Sequence, residues 1–176
     1  IQKIRFVKQT KYPEVLFTKD STSVFVYLDK SKSNSFDGFV SFNNDESKKI
    51  IFSGYLDLSL NNVLNSGEKI SLNWKSNGRE QKNFDLAFEI LYIFKTPIGI
   101  KSQLNIFKQD STFQNTKTSF DIGYFIKHNS KIYFGYQSTE SSDIRNLNNS
   151  SINDYENAFF TLEYEFSDIE ENEFLF

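Results

Sequence analysis

An apolar/polar alternation with a period of two residues recurs along most of the 176-residue chain and constrains its fold more than any other feature. Ile50, Phe52, Gly54, Leu56, Leu58 and Leu60 interleave with Lys49, Ser53, Tyr55, Asp57 and Ser59. The arrangement returns at Ile70, Leu72 and Trp74 against Lys69, Ser71, Asn73 and Lys75. It returns again at Phe84, Leu86, Phe88, Ile90 and Tyr92 against Asn83, Asp85 and Glu89. Successive side chains of a strand point to opposite faces, so each segment carries one apolar and one polar face. No segment competes with this reading at the 3.6-residue period of an amphipathic helix. A long series of such strands makes a sheet that separates two unlike media.

The composition agrees with β-structure. Phe (20) and Tyr (9) are abundant, while Met and Cys are absent and Trp occurs once. Only 38% of residues are hydrophobic, so the aromatics are embedded in polar sequence. Disordered chains lack such aromatics, and a helical membrane protein needs about 20 consecutive apolar residues. Aromatics fit a pleated surface instead. The net charge of −3 is spread along the chain without a basic block, which gives no footprint for nucleic acid. Without cysteine there are no disulfides, thiol nucleophiles or cysteine metal sites. The chain starts at Ile1 with no charged and apolar leader pattern, and it reads as a piece of something larger.

Residues 1 to about 33 differ from the rest. Ile4 and Phe6 alternate with Lys3, Arg5 and Lys8 as one short strand, and residues 14–18 read as a second after Pro13. Residues 23–28 read as a third, following the turn residues 20–23. These are too few to fold alone, and residues 30–35 read as a linker. Longer strands are predicted over residues 36–42, 49–60, 68–76, 83–93, 98–107 and 116–127. A seventh aligns Ile132, Phe134 and Tyr136, and an eighth aligns Ala158, Phe160, Leu162, Tyr164 and Phe166. The connections 43–48, 77–80, 108–115 and 138–154 are polar, and those at 61–67, 95–97 and 128–130 carry tight Asn, Gly or Pro turns. Short turns at one end and long loops at the other characterise outer-membrane barrels.

A soluble β-sandwich also alternates apolar-in with polar-out. Three features favour a barrel wall. The strands run near the 9–11 residues that cross a bilayer with tilt. Charges within the strands (Lys49, Asp57, Lys69, Lys75, Asp85, Glu89, Lys101, Asp121, Lys127, Lys131, Glu163, Glu165) keep to the polar register. A basic residue on a lipid face costs about 2–4 kcal/mol at mid-bilayer. Aromatics also recur near strand ends, at Trp74, Tyr92, Phe94, Tyr124, Tyr136, Tyr164 and Phe166, where a membrane belt would lie. On this reading Phe52, Leu56, Leu58, Leu72, Trp74, Leu86, Phe88, Ile122, Phe134, Phe160 and Leu162 are expected to face lipid.

Residues 13–30 (PEVLFTKDSTSVFVYLDK) followed by 34–38 (NSFDG) resemble the end of a polypeptide-transport-associated (POTRA) domain entering a barrel. Residues 54–60 (GYLDLSL), the 62–68 turn, Thr96-Pro97-Ile98-Gly99 and residues 106–113 (IFKQDSTF) carry the same resemblance. It is to the outer-membrane surface-antigen barrel superfamily of BamA-like proteins and ShlB/FhaC/HecB-type two-partner-secretion (hemolysin secretion/activation) transporters, in its Bacteroidetes form. The resemblance implies a periplasmic POTRA module over residues 1–33 and the N-terminal half of a sixteen-stranded transmembrane barrel over 36–176. The rest of the barrel would be missing from this chain. The family's lumen-loop arginine motif would lie there too. Arg145 is followed by Asn146-Leu147 rather than a Gly-aromatic pair, so no motif residue is carried over.

The implied function is polypeptide translocation or outer-membrane protein assembly, by strand pairing and lateral opening and without catalysis. Membrane lipid and a client polypeptide or assembly partner would be its partners. An open first strand presents unpaired backbone groups to a further strand. Here that seam is Phe36, Asp37, Gly38, Phe39, Val40, Ser41, Phe42 and Asn43, weakened locally by Gly38. An ordinary wall strand, paired in a closed barrel, fits the same residues. Two other architectures also remain open: a self-contained eight-stranded barrel ending at Phe176, and a secreted β-sandwich that binds a ligand.

The sequence offers no catalytic, cofactor or metal residues. The lone His128 sits in a turn without a second His or a Cys. Asp85 and Glu89 lie about 13 Å apart along an extended strand, too far for a glycosidase carboxylate pair. Asp110, Asp121 and the acidic tail 168–171 lack calcium-loop spacing. Asn149-Ser150-Ser151 matches a glycosylation sequon by chance, and no phosphate-binding glycine loop occurs.

Overall fold

In the computed structural model, residues 6–44, 48, 50–78, 81–109, 112–127, 129–143 and 154–166 are described. The long alternating segments form one eight-stranded antiparallel sheet whose spatial order follows the chain. Its strands are β5 (Ser35–Asn44), β6 (Ile50–Asn61), β7 (Lys69–Asn77), β8 (Gln81–Ile90), β9 (Ile98–Gln109), β10 (Phe113–Lys127), β11 (Ser130–Asp143) and β12 (Tyr155–Phe166). Ahead of it lie β1 (Val7–Gln9) paired with β4 (Leu28–Lys30), and β2 (Glu14–Phe17) paired with β3 (Thr22–Phe25). The expected third N-terminal strand is thus two short strands that pair differently, because β3 closes a hairpin on β2 while β4 returns to β1.

Antiparallel partners keep one parity through the sheet, so every even-numbered residue of β5–β12 shares one face, up to a register shift between Phe125 and Lys127. That face is the apolar one. Rows of directly paired residues do not stay within its apolar band. The row Gly38, Leu56, Trp74, Phe84, Ile106 continues as Thr116, Glu140, Glu156. A lower row, Ile98, Tyr124, Ile132, Tyr164, is apolar across β9–β12. The apolar run is centred on Phe39 in β5, whose row reaches Tyr155, but it is centred on Leu162 in β12. The band therefore slips seven residues over seven strand-to-strand steps, or one residue per step. With about 3.3 Å per residue and about 4.8 Å between strands, a level band requires strands tilted by about 35°. Closed barrels tilt their strands by about 35–45°.

Three expectations need correction. Residues 108–115 and 138–154 have the composition of loops, yet β9 runs to Gln109, β10 starts at Phe113 and β11 continues to Asp143. Polar residues there extend strands beyond the apolar band, where ladder bonding rather than burial holds them. The expected alternation of short turns and long loops follows the same correction. Only three residues separate β7 from β8 and β9 from β10, against seven between β6 and β7, so loop asymmetry rests on the β11–β12 connection. The longer strands also carry Lys82, Lys108, Glu140 and Glu156 on the even face, so charge exclusion holds only within the band. His128, Asp110, Arg145, Asn149-Ser150-Ser151 and the tail from Ser167 to Phe176 lie outside the described residues.

The β6–β7 turn shows why its residues are polar. Asn62, Asn65 and Gly67 adopt left-handed backbone angles, φ 56°, 58° and 73°, which Asn tolerates and Gly adopts freely. Glu68, 1% exposed, accepts the N–H groups of Leu64 (2.6 Å) and Ser66 (3.1 Å) on its two carboxylate oxygens. Burial pushes its carboxyl up, but the surrounding backbone N–H groups outweigh this and hold it below the usual range. The linker before β5 docks on the same end. The Asn61 amide N–H donates to Asn34 Oδ1 (2.7 Å), and Asn61 Nδ2 donates to the Ser33 carbonyl (2.6 Å).

Candidate functional site

The sheet offers three candidate surfaces: the apolar face, the polar face and the edge of β5. On the apolar face, Phe52, Ile122, Phe134, Phe160 and Leu162 are exposed, the last at 77%. Leu56, Leu58, Leu72, Trp74, Leu86 and Phe88 are half-buried against their row neighbours. All eleven residues picked out from the sequence share the even face. Among the described residues no second layer packs on it; the strand contacts are those of sheet neighbours. A sandwich would have placed a second sheet about 10 Å away over this face. Tyr92 departs from the expected belt. Its left-handed backbone (φ 56°) turns its ring onto Phe125, stacked at 4.8 Å on the other side of the sheet.

The polar face contains the buried hydrophobic side chains among the described residues, Phe125 and Tyr133. They lie in a trough made by Gly99 and Gly123, direct partners on β9 and β10, while Gly135 on β11 makes room for Asp121 and Thr161. A Cβ at Gly123 would stand 2.6 Å from the Tyr133 ring, and one at Gly99 would stand 2.9 Å from the Phe125 ring. Lying flat across β10, Tyr133 reaches β8, where its hydroxyl donates to Glu89 Oε1 at 3.4 Å. Lys101 sits over the same ring (5.4 Å) and reaches across to Glu163 Oε2 (3.9 Å) on β12. Lys131 lies over Phe125 (5.4 Å) and pairs with Glu165 (3.7 Å). Thr161 Oγ1 donates to Asp121 Oδ1 (3.2 Å) across Gly135. Side chains therefore lace β8 to β12 independently of the backbone ladder. Beside them Asp85 accepts from Asn83 and Asn105 in an open depression of about 400 Å³ lined also by Asp57, Asn73 and Gln103.

The residues Phe36 to Asn43 lie within β5, which pairs with β6 on one side only. Phe36 (70% exposed) and Phe42 (72%) project from the even face, and Asp37 accepts from Tyr55 (3.3 Å) on the other. β12 is the opposite edge, and the two edges do not pair. Gly38 packs closely: a Cβ there would stand 2.7 Å from Leu56 Cδ2 and 2.8 Å from the Tyr55 carbonyl. The glycine trough was not visible in the sequence. Its two glycines share the polar parity, but their alignment depends on register.

Among the described residues no group of three or more His, Cys, Asp or Glu side chains is placed to hold a metal, and no helix is long and apolar enough to cross a membrane. No protein-family model matches the chain, and no curated protein matches it. Among solved structures, the fold is similar to a bacterial β-barrel. That structure is the crystal structure of BamA from Haemophilus ducreyi lacking POTRA domains 1-3, matched at 11% identity and a TM-score of 0.51. The match covers 98% of this chain and 37% of that one, so the chain spans little more than a third of its length. The likeness is one of fold: an all-β meander forming part of a β-barrel wall.

Proposed function

We propose that the chain is the N-terminal half of an outer-membrane β-barrel that translocates polypeptides or assembles outer-membrane proteins without catalysis. In this reading residues 1–33 end a POTRA-like module on the periplasmic side, and residues 36–176 cross the membrane. The observation that carries it is the apolar band, which slips one residue per strand across an otherwise uncovered face. An accessible surface of 13745 Å² for a 20.6 kDa chain supports it. A compact soluble monomer of that mass exposes about 8,900 Å².

These 176 residues contain no cysteine, so single cysteines placed in them report cleanly once any cysteine elsewhere in the protein is replaced. In the full-length protein in phosphatidylcholine vesicles, cysteines at Leu72, Leu86, Ile122 and Phe134 should resist a water-soluble maleimide. A probe attached there should be quenched by lipid-borne quenchers. Cysteines at Asn73, Ala87 and Gln103 should behave oppositely. Equal labelling at odd and even positions would refute the wall reading.

The edge strand β5 is the seam at which a client strand pairs. Only one of its sides is bonded within the sheet, leaving N–H and C=O groups for another strand. Disulfides engineered between β5 and the last strand of the full-length barrel should stop client assembly under oxidising conditions and release it on reduction. Undiminished assembly when oxidised would remove the seam.

A further inference from the structure

We propose that Lys82 and Lys108 dock the phosphorylated headgroup of a membrane lipid on the apolar face, a proposal that rests on the wall reading above. Charges are rare on this face. Among the described residues of β5–β12 outside the β10 register shift they are Lys82, Lys108, Glu140 and Glu156, all toward the end of the sheet away from the β6–β7 turn and the N-terminal strands; Lys127, past the shift, pairs with Ser130 at the opposite end. Lys82 on β8 and Lys108 on β9 are direct register partners. Direct partners hold their Cβ atoms about 5 Å apart, and like charges so placed destabilise a sheet. Neither ammonium forms an ion pair with another described residue. Their row neighbours are the neutral Ser76 and Gln114. The acidic pair Glu140–Glu156 begins two strands beyond Lys108 and two residues further along, about 12 Å away at the usual strand and residue spacings. Among the described residues, no anion answers the two lysines.

The surroundings say which anion. The two ammonium groups present six N–H donors, suited to an acceptor with several oxygens such as phosphate. Directly down the strands from them, one row inward, lie Trp74, Phe84 and Ile106, the start of the apolar band. An acyl chain runs along those side chains while its headgroup meets the lysines, whose stems extend toward the interface. A soluble ion would leave this apolar wall unused. A phosphorylated lipid matches both parts of the surface.

The test places the full-length protein in phosphatidylcholine vesicles containing a minor fraction of diphosphoryl lipid A or its dephosphorylated form. After transfer to mild detergent, native mass spectrometry counts the lipid retained. The phosphorylated form should be retained and the dephosphorylated form lost. Lys82→Gln with Lys108→Gln should weaken retention about thirtyfold, each lysine near a phosphate-bearing surface contributing a factor of about five. Lys82→Arg with Lys108→Arg should preserve it. Equal retention of the two lipids, equal retention by the Gln variant, or displacement by inorganic phosphate at the same concentration would overturn the proposal. Cysteine alternation measured on the same samples separates the two ideas. If it persists while retention shows no phosphate dependence, the headgroup site fails alone; if it is absent, the wall reading fails too.

Discussion

Gly123→Ala tests the polar-face trough most directly. The added Cβ would stand 2.6, 2.8 and 3.3 Å from three atoms of the Tyr133 ring, where carbon atoms normally settle about 3.5–4.0 Å apart. Backbone lies beneath and Tyr133 is 2% exposed, so the ring must lift out of the trough by roughly 1 Å to restore such contacts. Overpacking of this kind costs about 1–3 kcal/mol. Lifting the ring also breaks its hydroxyl bond to Glu89, already long at 3.4 Å. A typical hydrogen bond contributes about 0.5–1.5 kcal/mol, so the expected total is about 2–4 kcal/mol. The assay is reversible urea unfolding of the full-length protein in vesicles, followed by tryptophan emission and gel mobility. A double-mutant cycle isolates the cause. In a Tyr133→Ala background nothing overlies Gly123, and alanine there should be neutral or stabilising by about 0.5–1 kcal/mol, since glycine weakens strands. An equal cost in both backgrounds, or no cost in the wild type, would refute the claim that the ring occupies the space of the missing side chain.

Other perturbations probe the remaining parts. Leu86→Arg, in mid-band, should destabilise the vesicle-embedded barrel by about 2–4 kcal/mol, while Ala87→Arg on the opposite face should cost far less; unfolding midpoints in vesicles compare them. Glu68→Gln should cost about 1–3 kcal/mol by weakening charge-assisted bonds in the β6–β7 turn. Because the folded Glu68 carboxyl lies below its unfolded value, its stabilisation is present at neutral pH and is lost as pH falls through the folded value. The wild type should therefore lose more stability in acid than the Gln variant, as read by unfolding at a series of pH values. Lys101→Met should change stability by less than about 1 kcal/mol, since its 3.9 Å pair with the half-exposed Glu163 is a solvated one. Asn61→Ala should remove the side-chain bond to the Ser33 carbonyl, keep the backbone bond to Asn34, and speed amide exchange in the 31–34 linker without moving the unfolding midpoint.

Strand existence and facing were legible in the sequence because side-chain direction depends only on position along a strand. Strand ends were less so. Gln114, Asn115, Ser138 and Glu140 read as loop residues by composition, but ladder bonding with neighbouring strands carries them as β-structure. The 23–28 segment reads as one strand by propensity, and its division between β3 and β4 follows from two different partners. For the candidate surfaces, the sequence indicated the parity of Leu72, Leu86 and Ile122. It did not indicate that Lys82 meets Lys108, because that contact joins residues 26 positions apart through register.

By itself, then, the sequence determined that this chain makes long two-faced strands, one face apolar and the other charged. Periodicity is local, and no partner strand is needed to express it. Tertiary structure alone decided the one-residue slip that tilts the band, the alignment of Gly99 and Gly123 beneath Phe125 and Tyr133, and the place of β5 at an edge of the sheet. These are relations between strands. They are set by which hydrogen-bond register lets the apolar band stay continuous, a condition that exists only when the strands lie side by side.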